Sequence, residues 1–232
     1  MKIYKRILSF VLLIATFLGC SLISSNAAYT ENIISFEEYK DTLQHEYEKY
    51  GMTLEIELGN EDTIFTRDML LSHLSMVEDL SNSFAVEYIG STMALEPIPQ
   101  SNNNDTIEPK AMYARYAYSV EFLVSADTFP LNFLATATFE AVCYGTVDLQ
   151  NGAVVTVEDY SVSHVSSHNL ESYDLDLTCT IYNHGYSDNS VQMQVLGTAE
   201  FAWTEPTTNI TYRSSKDVAF ADNFNPHEHL HY

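Results

Sequence analysis

Apolar residues occupy every second position along much of the chain after residue 111. Successive side chains of a β-strand point to opposite faces, so a period of two indicates strands with one buried face. The long alternating runs are residues 112–124, 131–143, 154–164, 173–181 and 191–203. Two shorter runs, 210–212 and 218–220, predict closing strands. Together they predict an antiparallel β domain over residues 111–222, folded as two sheets over one core.

The segment over residues 29–92 carries both helical and strand periods. Ser35-Phe36-Glu37-Glu38 has the form of a capping box and predicts a helix that ends near Gly51. Residues 52–58 alternate strictly, which predicts a half-buried strand. Thr66 is placed to cap a second helix, because apolar residues then recur at helical spacing. The predicted class is α+β: a small helical or mixed N-terminal region followed by an antiparallel β-sandwich, immunoglobulin-like or jelly-roll-like.

A polar segment at residues 93–110 interrupts these patterns. It contains Pro97, Pro99 and Pro109, with a run of Ser, Asn and Asp between them. Such a composition buries too little apolar surface to offset its ordering entropy. We therefore expect a surface linker between the N-terminal region and the β domain.

The first 27 residues have the three parts of a secretory signal peptide. A basic stretch at residues 1–6 precedes an apolar stretch at residues 7–18, and Ser25-Asn26-Ala27 supplies small residues before a cleavage point. No later stretch of the sequence is apolar for the length of a membrane span. The sequence therefore predicts a secreted, extracellular protein.

One alternative concerns the end of this leader. Phe17-Leu18-Gly19-Cys20 resembles a bacterial lipobox, in which the cysteine is lipidated and becomes the new N-terminus. The resemblance implies a lipid anchor on Cys20 and a membrane-anchored lipoprotein. Export is common to both interpretations.

The net charge of the chain limits the classes of molecule that it is expected to bind. The chain has 32 acidic residues against 10 basic ones, giving a formal net charge of −22. A negative field of this size repels phosphate backbones and anionic lipid headgroups. We therefore expect no nucleic-acid partner, and an extracellular protein or a glycan is the partner that remains.

Two cysteines follow the leader, Cys143 and Cys179. An even number of cysteines in an exported protein is typical of a disulfide. Both fall on the apolar face of their alternating runs, so a bridge would lie inside the core. The alternative is a pair of buried, reduced thiols, because free cysteine packs like a small apolar residue.

The aromatic residues supply the candidate ligand-binding side chains. The chain has 16 tyrosines, and tyrosine is favoured on recognition surfaces because it joins a flat apolar ring to a polar tip. Tyr116 and Tyr118 share the apolar face of their run and are expected to pack in the core. Tyr144, Tyr182 and Tyr186 fall on the opposite face or in loops, and are the predicted binding residues.

Metal binding is the other chemistry that the sequence suggests. The C-terminal tail, residues 223–232, contains His227, His229 and His231, and the string His-Glu-x-x-His matches a zinc-protease motif over five residues. Calcium binding at acidic side chains of the β domain is an alternative, but a solvated acidic face is the favoured interpretation of them. These acids are Glu171, Asp174, Asp176 and Asp188.

Two functional hypotheses follow. The first is a non-enzymatic extracellular module that binds a protein or a glycan and needs no cofactor. The second is a zinc-binding protein or zinc-dependent hydrolase that uses the C-terminal histidines.

Overall fold

The computed structural model describes residues 32–80, 85–98, 113–128, 133–183 and 189–229. The described residues form two α-helices, ten β-strands and a final 3-10 helix. In chain order these are β1 (Ile33–Ile34), α1 (Phe36–Lys49), β2 (Thr53–Leu58), β3 (Phe65–Thr66), α2 (Arg67–Leu80), β4 (Ala85–Pro97), β5 (Tyr113–Thr128), β6 (Phe133–Asp148), β7 (Val154–His168), β8 (Leu170–Asn183), β9 (Asn189–Thr204), β10 (Ile210–Phe224) and the 3-10 helix Pro226–His229. The predicted leader, with Cys20, lies outside the described residues.

The strands form two four-stranded antiparallel sheets. Sheet I has the order β4-β5-β6-β7, and sheet II has the order β8-β9-β10-β2. β1 and β3 form a separate two-stranded ribbon. The predicted α+β class with an antiparallel sandwich is confirmed. Sheet I is a meander, whereas in sheet II the meander β8-β9-β10 is extended by β2, which precedes these strands in the chain and pairs with β10.

The inner faces of the two sheets form the main core. The ring of Phe122 in β5 stacks on Phe220 in β10 at 4.6 Å between centroids, and Tyr118 stacks on Phe224 at 4.0 Å. Tyr116 and Tyr118 are buried, as their place on the apolar face predicts. These contacts hold sheet I against one end of sheet II.

The two helices cover the other end of the same face of sheet II. Tyr39, Leu43 and Tyr47 line the buried side of α1 and join Ile56 and Tyr212 in a second core. Both predicted helix starts are confirmed by their caps. Ser35 Oγ accepts a hydrogen bond from the Glu38 amide at 3.0 Å, and Thr66 Oγ1 accepts one from the Met69 amide at 3.2 Å.

β10 contributes side chains to both cores, and its length shows that one prediction was wrong. The two closing strands expected at 210–212 and 218–220 are a single strand of 15 residues. Its apolar pattern is broken at Ser214 and Lys216, which are only partly buried. These positions lie between the residues that enter the second core and those that enter the main core, so apolar side chains are not needed there.

The N-terminal region contributes strands to both sheets. β2 pairs with β10 in sheet II, and β4 pairs with β5 in sheet I. β4 extends to Pro97, so residues 93–97 of the predicted linker are strand, and residues 99–112 lie outside the described part. β4 is an edge strand with few buried side chains, which explains why its apolar pattern is weak.

Neither helix in the described ranges combines the length and the apolar character that crossing a bilayer requires.

Candidate functional site

The outward face of sheet II is divided into an acidic part and an uncharged part. Outward residues of β8, β9 and β10 face one another in cross-strand rows. Rows near the middle of the sheet contain Asp174, Asp176 and Asp217. The rows at the far end are uncharged; they consist of Thr178, Gln194 and Ala221, then Thr180, Gln192 and Asn223, then Tyr182 and Ser190. An uncharged area of this kind stands out on a protein with a net charge of −22.

A surface depression of about 360 Å³ lies at this uncharged end. Its lining is Tyr182 from β8, Ser190 and Gln192 from β9, and Asn223 from β10. We call these four residues the amide patch. Tyr182 and Asn223 are exposed, whereas Ser190 and Gln192 are partly buried. Within the described residues, none of the four side chains has a hydrogen-bond partner.

Two contacts fix the backbone beneath the amide patch. The buried side chain of Asn189 accepts a hydrogen bond from the Val154 amide and donates one to the Val154 carbonyl, both at 2.7 Å. This pair ties the start of β9 in sheet II to the start of β7 in sheet I. Beside Asn223, Asp222 turns to the inner face and accepts a hydrogen bond from the Tyr118 hydroxyl at 2.6 Å. The carboxylate of Asp222, which precedes Asn223 in the sequence, therefore points away from the amide patch.

The acidic part of the face is organised around one guanidinium group. Arg213 Nη1 lies 2.8 Å from Glu57 Oε2, and Arg213 Nε lies 2.7 Å from Glu171 Oε2. The two glutamates raise the pKa of Arg213 further above its usual value. Glu171, which was a candidate calcium ligand, is therefore already paired. Asp174 and Asp176 are exposed on the outward face, and Asp188 lies outside the described residues.

The predicted tyrosines do not lie on one surface. Tyr182 is in the amide patch, whereas Tyr144 lies on the outward face of sheet I, opposite Ala117 and Asp159. The two side chains are equally accessible, at 45% and 44% exposed. Tyr186 lies outside the described residues.

The two candidate disulfide cysteines lie on opposite sheets and meet in the core. Cys143 of β6 is buried, Cys179 of β8 is partly buried, and both are thiols in the structure. Both side chains lie in the main core, where β6 faces β8. The interaction between the two thiols lowers the pKa of Cys143 and raises the pKa of Cys179. The structure thus brings together two residues that the sequence separates widely.

The structure describes only part of the C-terminal tail that carries the three histidines. Pro226–His229 is a 3-10 helix rather than the α-helix on which a His-Glu-x-x-His motif acts, and His231 lies outside the described residues. Within the ranges that the structure describes, no three His, Cys, Asp or Glu residues form a group suited to a metal ion. A zinc role for His227, His229 and His231 stays a prediction.

Three side chains with strongly shifted pKa values, Tyr39, His73 and Tyr212, are in contact between the helices and sheet II. The Tyr39 hydroxyl lies 2.5 Å from His73 Nδ1 and 3.1 Å from the Tyr212 hydroxyl. Burial lowers the pKa of His73 to about 4 and raises the pKa of Tyr212 to about 12. This group connects α1, α2 and β10 inside the second core, so we assign it to folding rather than to binding.

Sequence reasoning identified Tyr182 but missed its three neighbours. Ser190, Gln192 and Asn223 are outward-facing polar residues, and their types are common on any solvated strand. The signal that distinguishes them is their cross-strand alignment. That alignment can be recognised only when the register between β9 and β10 is known. Asn223 lies about thirty residues after Gln192 in the sequence, and the register places it directly opposite Gln192.

Comparison with protein-family models, with curated proteins and with solved structures found no match for this chain.

Proposed function

We propose that this protein is an exported, non-enzymatic module that binds an uncharged glycan through the amide patch. The observation that carries the proposal is the composition of the depression on sheet II: its described lining residues supply one exposed tyrosine ring, two primary amides and one hydroxyl, and none of these four residues is charged. Export rests on the predicted leader at residues 1–27.

The chemistry of these four side chains fits a sugar. Each primary amide offers two N–H donors and a carbonyl acceptor, and a hydroxyl both donates and accepts. A sugar ring presents neighbouring hydroxyls that need both kinds of partner. The flat face of Tyr182 supplies an apolar surface against which the C–H face of a sugar ring can lie. Ser190 lies opposite Tyr182 on β9, and Gln192 of the same strand lies opposite Asn223 of β10, so amide and hydroxyl groups line the same depression as the ring.

A protein partner fits this patch less well. A stable protein interface buries roughly 800 Å² on each side and has an apolar centre. The depression is small, and none of its described lining residues is aliphatic. The four described lining residues also contain no carboxylate pair of the kind that glycoside hydrolysis needs, which favours binding over cleavage.

The test is titration calorimetry with a panel of neutral cello-, chito-, malto- and manno-oligosaccharides. We expect at least one of these to bind, and Tyr182→Ala to weaken that binding by about tenfold or more, equivalent to about 1.4 kcal/mol. Raising the ionic strength should leave the affinity unchanged, because the lining has no charge to screen.

Tyr144→Ala is the matched control, since Tyr144 is as exposed as Tyr182 but lies on the other sheet. It should bind like the unaltered protein. The proposal is wrong if no oligosaccharide of the panel binds, or if the two tyrosine variants lose affinity equally.

A further inference from the structure

We propose that Cys143 and Cys179 are oxidised to an intramolecular disulfide that fastens β8 to the opposite sheet. The proposal does not depend on glycan binding. It rests on the position of the two thiols in the core and on the chain topology around them.

The two sulfur atoms are already neighbours. Each cysteine lies on the inner face of its strand: Cys143 of β6 is part of the main core, and Cys179 of the facing strand β8 packs against the same core. Tyr116 helps to fix Cys143, because its hydroxyl lies 3.9 Å from Cys143 Sγ while it donates a hydrogen bond to the Thr156 carbonyl at 3.2 Å. Gly145 leaves room for that hydroxyl: a Cβ at Gly145 would lie 2.6 Å from it.

A bridge at this point would add a constraint that the topology otherwise lacks. β8 is an edge strand of sheet II, hydrogen-bonded only to β9 among the described strands. Cys179 is three residues from Tyr182 on that strand, with its side chain on the opposite face. Joining Cys179 to Cys143 would therefore hold the strand that carries the exposed ring of the amide patch.

The chemistry is a thiol–disulfide exchange with a small-molecule or protein disulfide as the oxidant. One cysteine, as its thiolate, attacks one sulfur of the oxidant, which releases one thiol and leaves a mixed disulfide on that cysteine. The thiolate of the other cysteine then attacks the protein sulfur of this mixed disulfide and releases the second thiol. The protein loses two hydrogen atoms, equivalent to two protons and two electrons, and the oxidant is reduced to two thiols.

The experiment refolds the reduced, denatured chain in a buffer of reduced and oxidised glutathione, so that access to the core does not limit the reaction. The chain carries Cys20→Ser, which leaves this pair as the only cysteines. After quenching and alkylation of remaining thiols, we expect an intact mass with two hydrogens lost and no alkyl or glutathione adduct. The oxidised protein should melt about 10 °C above its reduced form, because the bridge restricts the unfolded chain.

Two single variants provide the controls. Cys179→Ser and Cys143→Ser each leave one thiol, so neither can show the mass loss, and their melting temperatures should not depend on the glutathione ratio. Alkylated or glutathionylated thiols as the main product of the parent chain would overturn the proposal. An unchanged melting temperature in the oxidised parent would overturn the claim that the bridge fastens β8.

Discussion

Among the single residues, His73 shows most clearly how the fold changes a side chain's chemistry. Its ring lies in the second core, where Nδ1 is 2.5 Å from the Tyr39 hydroxyl. Burial disfavours the charged imidazolium and lowers the pKa of His73 to about 4. At neutral pH the ring is therefore uncharged and suited to a buried hydrogen bond with tyrosine.

This residue gives a pH prediction with a definite sign. The pKa of His73 is lower in the folded chain than in the unfolded chain, so the unfolded chain binds the proton more readily. Its contribution to stability is complete above about pH 6.5 and is lost as the pH falls through about 4. The free energy of unfolding should decrease by about 3 kcal/mol over that window from this group alone.

The measurement is urea unfolding from pH 7 to pH 4 of the parent chain and of His73→Asn. Asparagine retains a hydrogen-bond acceptor near Nδ1 but does not titrate, so the carboxylates common to both chains cancel in the difference. Parallel pH profiles for the two chains would show that His73 does not titrate as its burial implies.

Sequence patterns predicted the roles of some tyrosines but could not rank others. Tyr116 and Tyr118 lie at alternating apolar positions, and the predicted packing role is confirmed. Tyr144 and Tyr182 are equivalent in the sequence, because each occupies an outward position of a strand. Only the assignment of their strands to different sheets, through long-range pairing, separates them.

Among the secondary-structure elements, the contact between β8 and β9 determines where Tyr182 lies. Gly197 of β9 is paired with Leu175, and the two backbones approach very closely at this point. A Cβ at Gly197 would lie 1.9 Å from the Asp174 carbonyl oxygen, and the residue has a φ of +155°. Both facts require glycine at this position.

We therefore predict that Gly197→Ala reduces the free energy of unfolding by about 1–3 kcal/mol or more, because the strands must separate to admit the methyl group. Urea denaturation measures this change. Gly90→Ala in β4 is the matched control: a Cβ there meets nothing within 4 Å, so stability should stay within about 0.5 kcal/mol. Equal losses in the two variants would contradict the close approach of β8 and β9.

The period-two pattern predicted strands well where one face is buried along the whole strand. β5, β6 and β9 meet this condition, and their runs were recognised. β7 does not, because three irregularities in its pairing with β6 shift the side chains from one face to the other. β10 serves two cores, and β4 buries few side chains at an edge. In each case the sequence pattern weakens for a reason that depends on tertiary packing.

For the whole molecule, sheet II has both a structural and a proposed binding role. Its inner face joins the two cores, one under sheet I and one under the helices. Its outer face is free of covering elements among the described residues, and charge divides it into an acidic area and the amide patch. The strand pairing beneath the patch fixes the backbone positions of these residues, so a ligand would have to order only their side chains.

The candidate site could be predicted from the sequence only in part. Tyr182 as a candidate and the acidic character of the chain were accessible from residue types and pattern. The convergence of Gln192 and Asn223 was not, because it depends on the register between β9 and β10. The proximity of Cys143 and Cys179 similarly depends on how the two sheets face each other.

The most direct test of the proposed site is to observe the side-chain amides by NMR. The side-chain N–H₂ signals of Gln192 and Asn223 would be followed while the best-binding neutral oligosaccharide of the panel is added. We predict that these signals and the Ser190 backbone amide shift with one common affinity, while the side-chain amide of Gln44, which is bonded to the Leu54 carbonyl beside the second core, is unaffected. Shifts centred on Tyr144 or on the C-terminal histidines, with Gln192 and Asn223 unchanged, would contradict the assignment of the amide patch as the binding site.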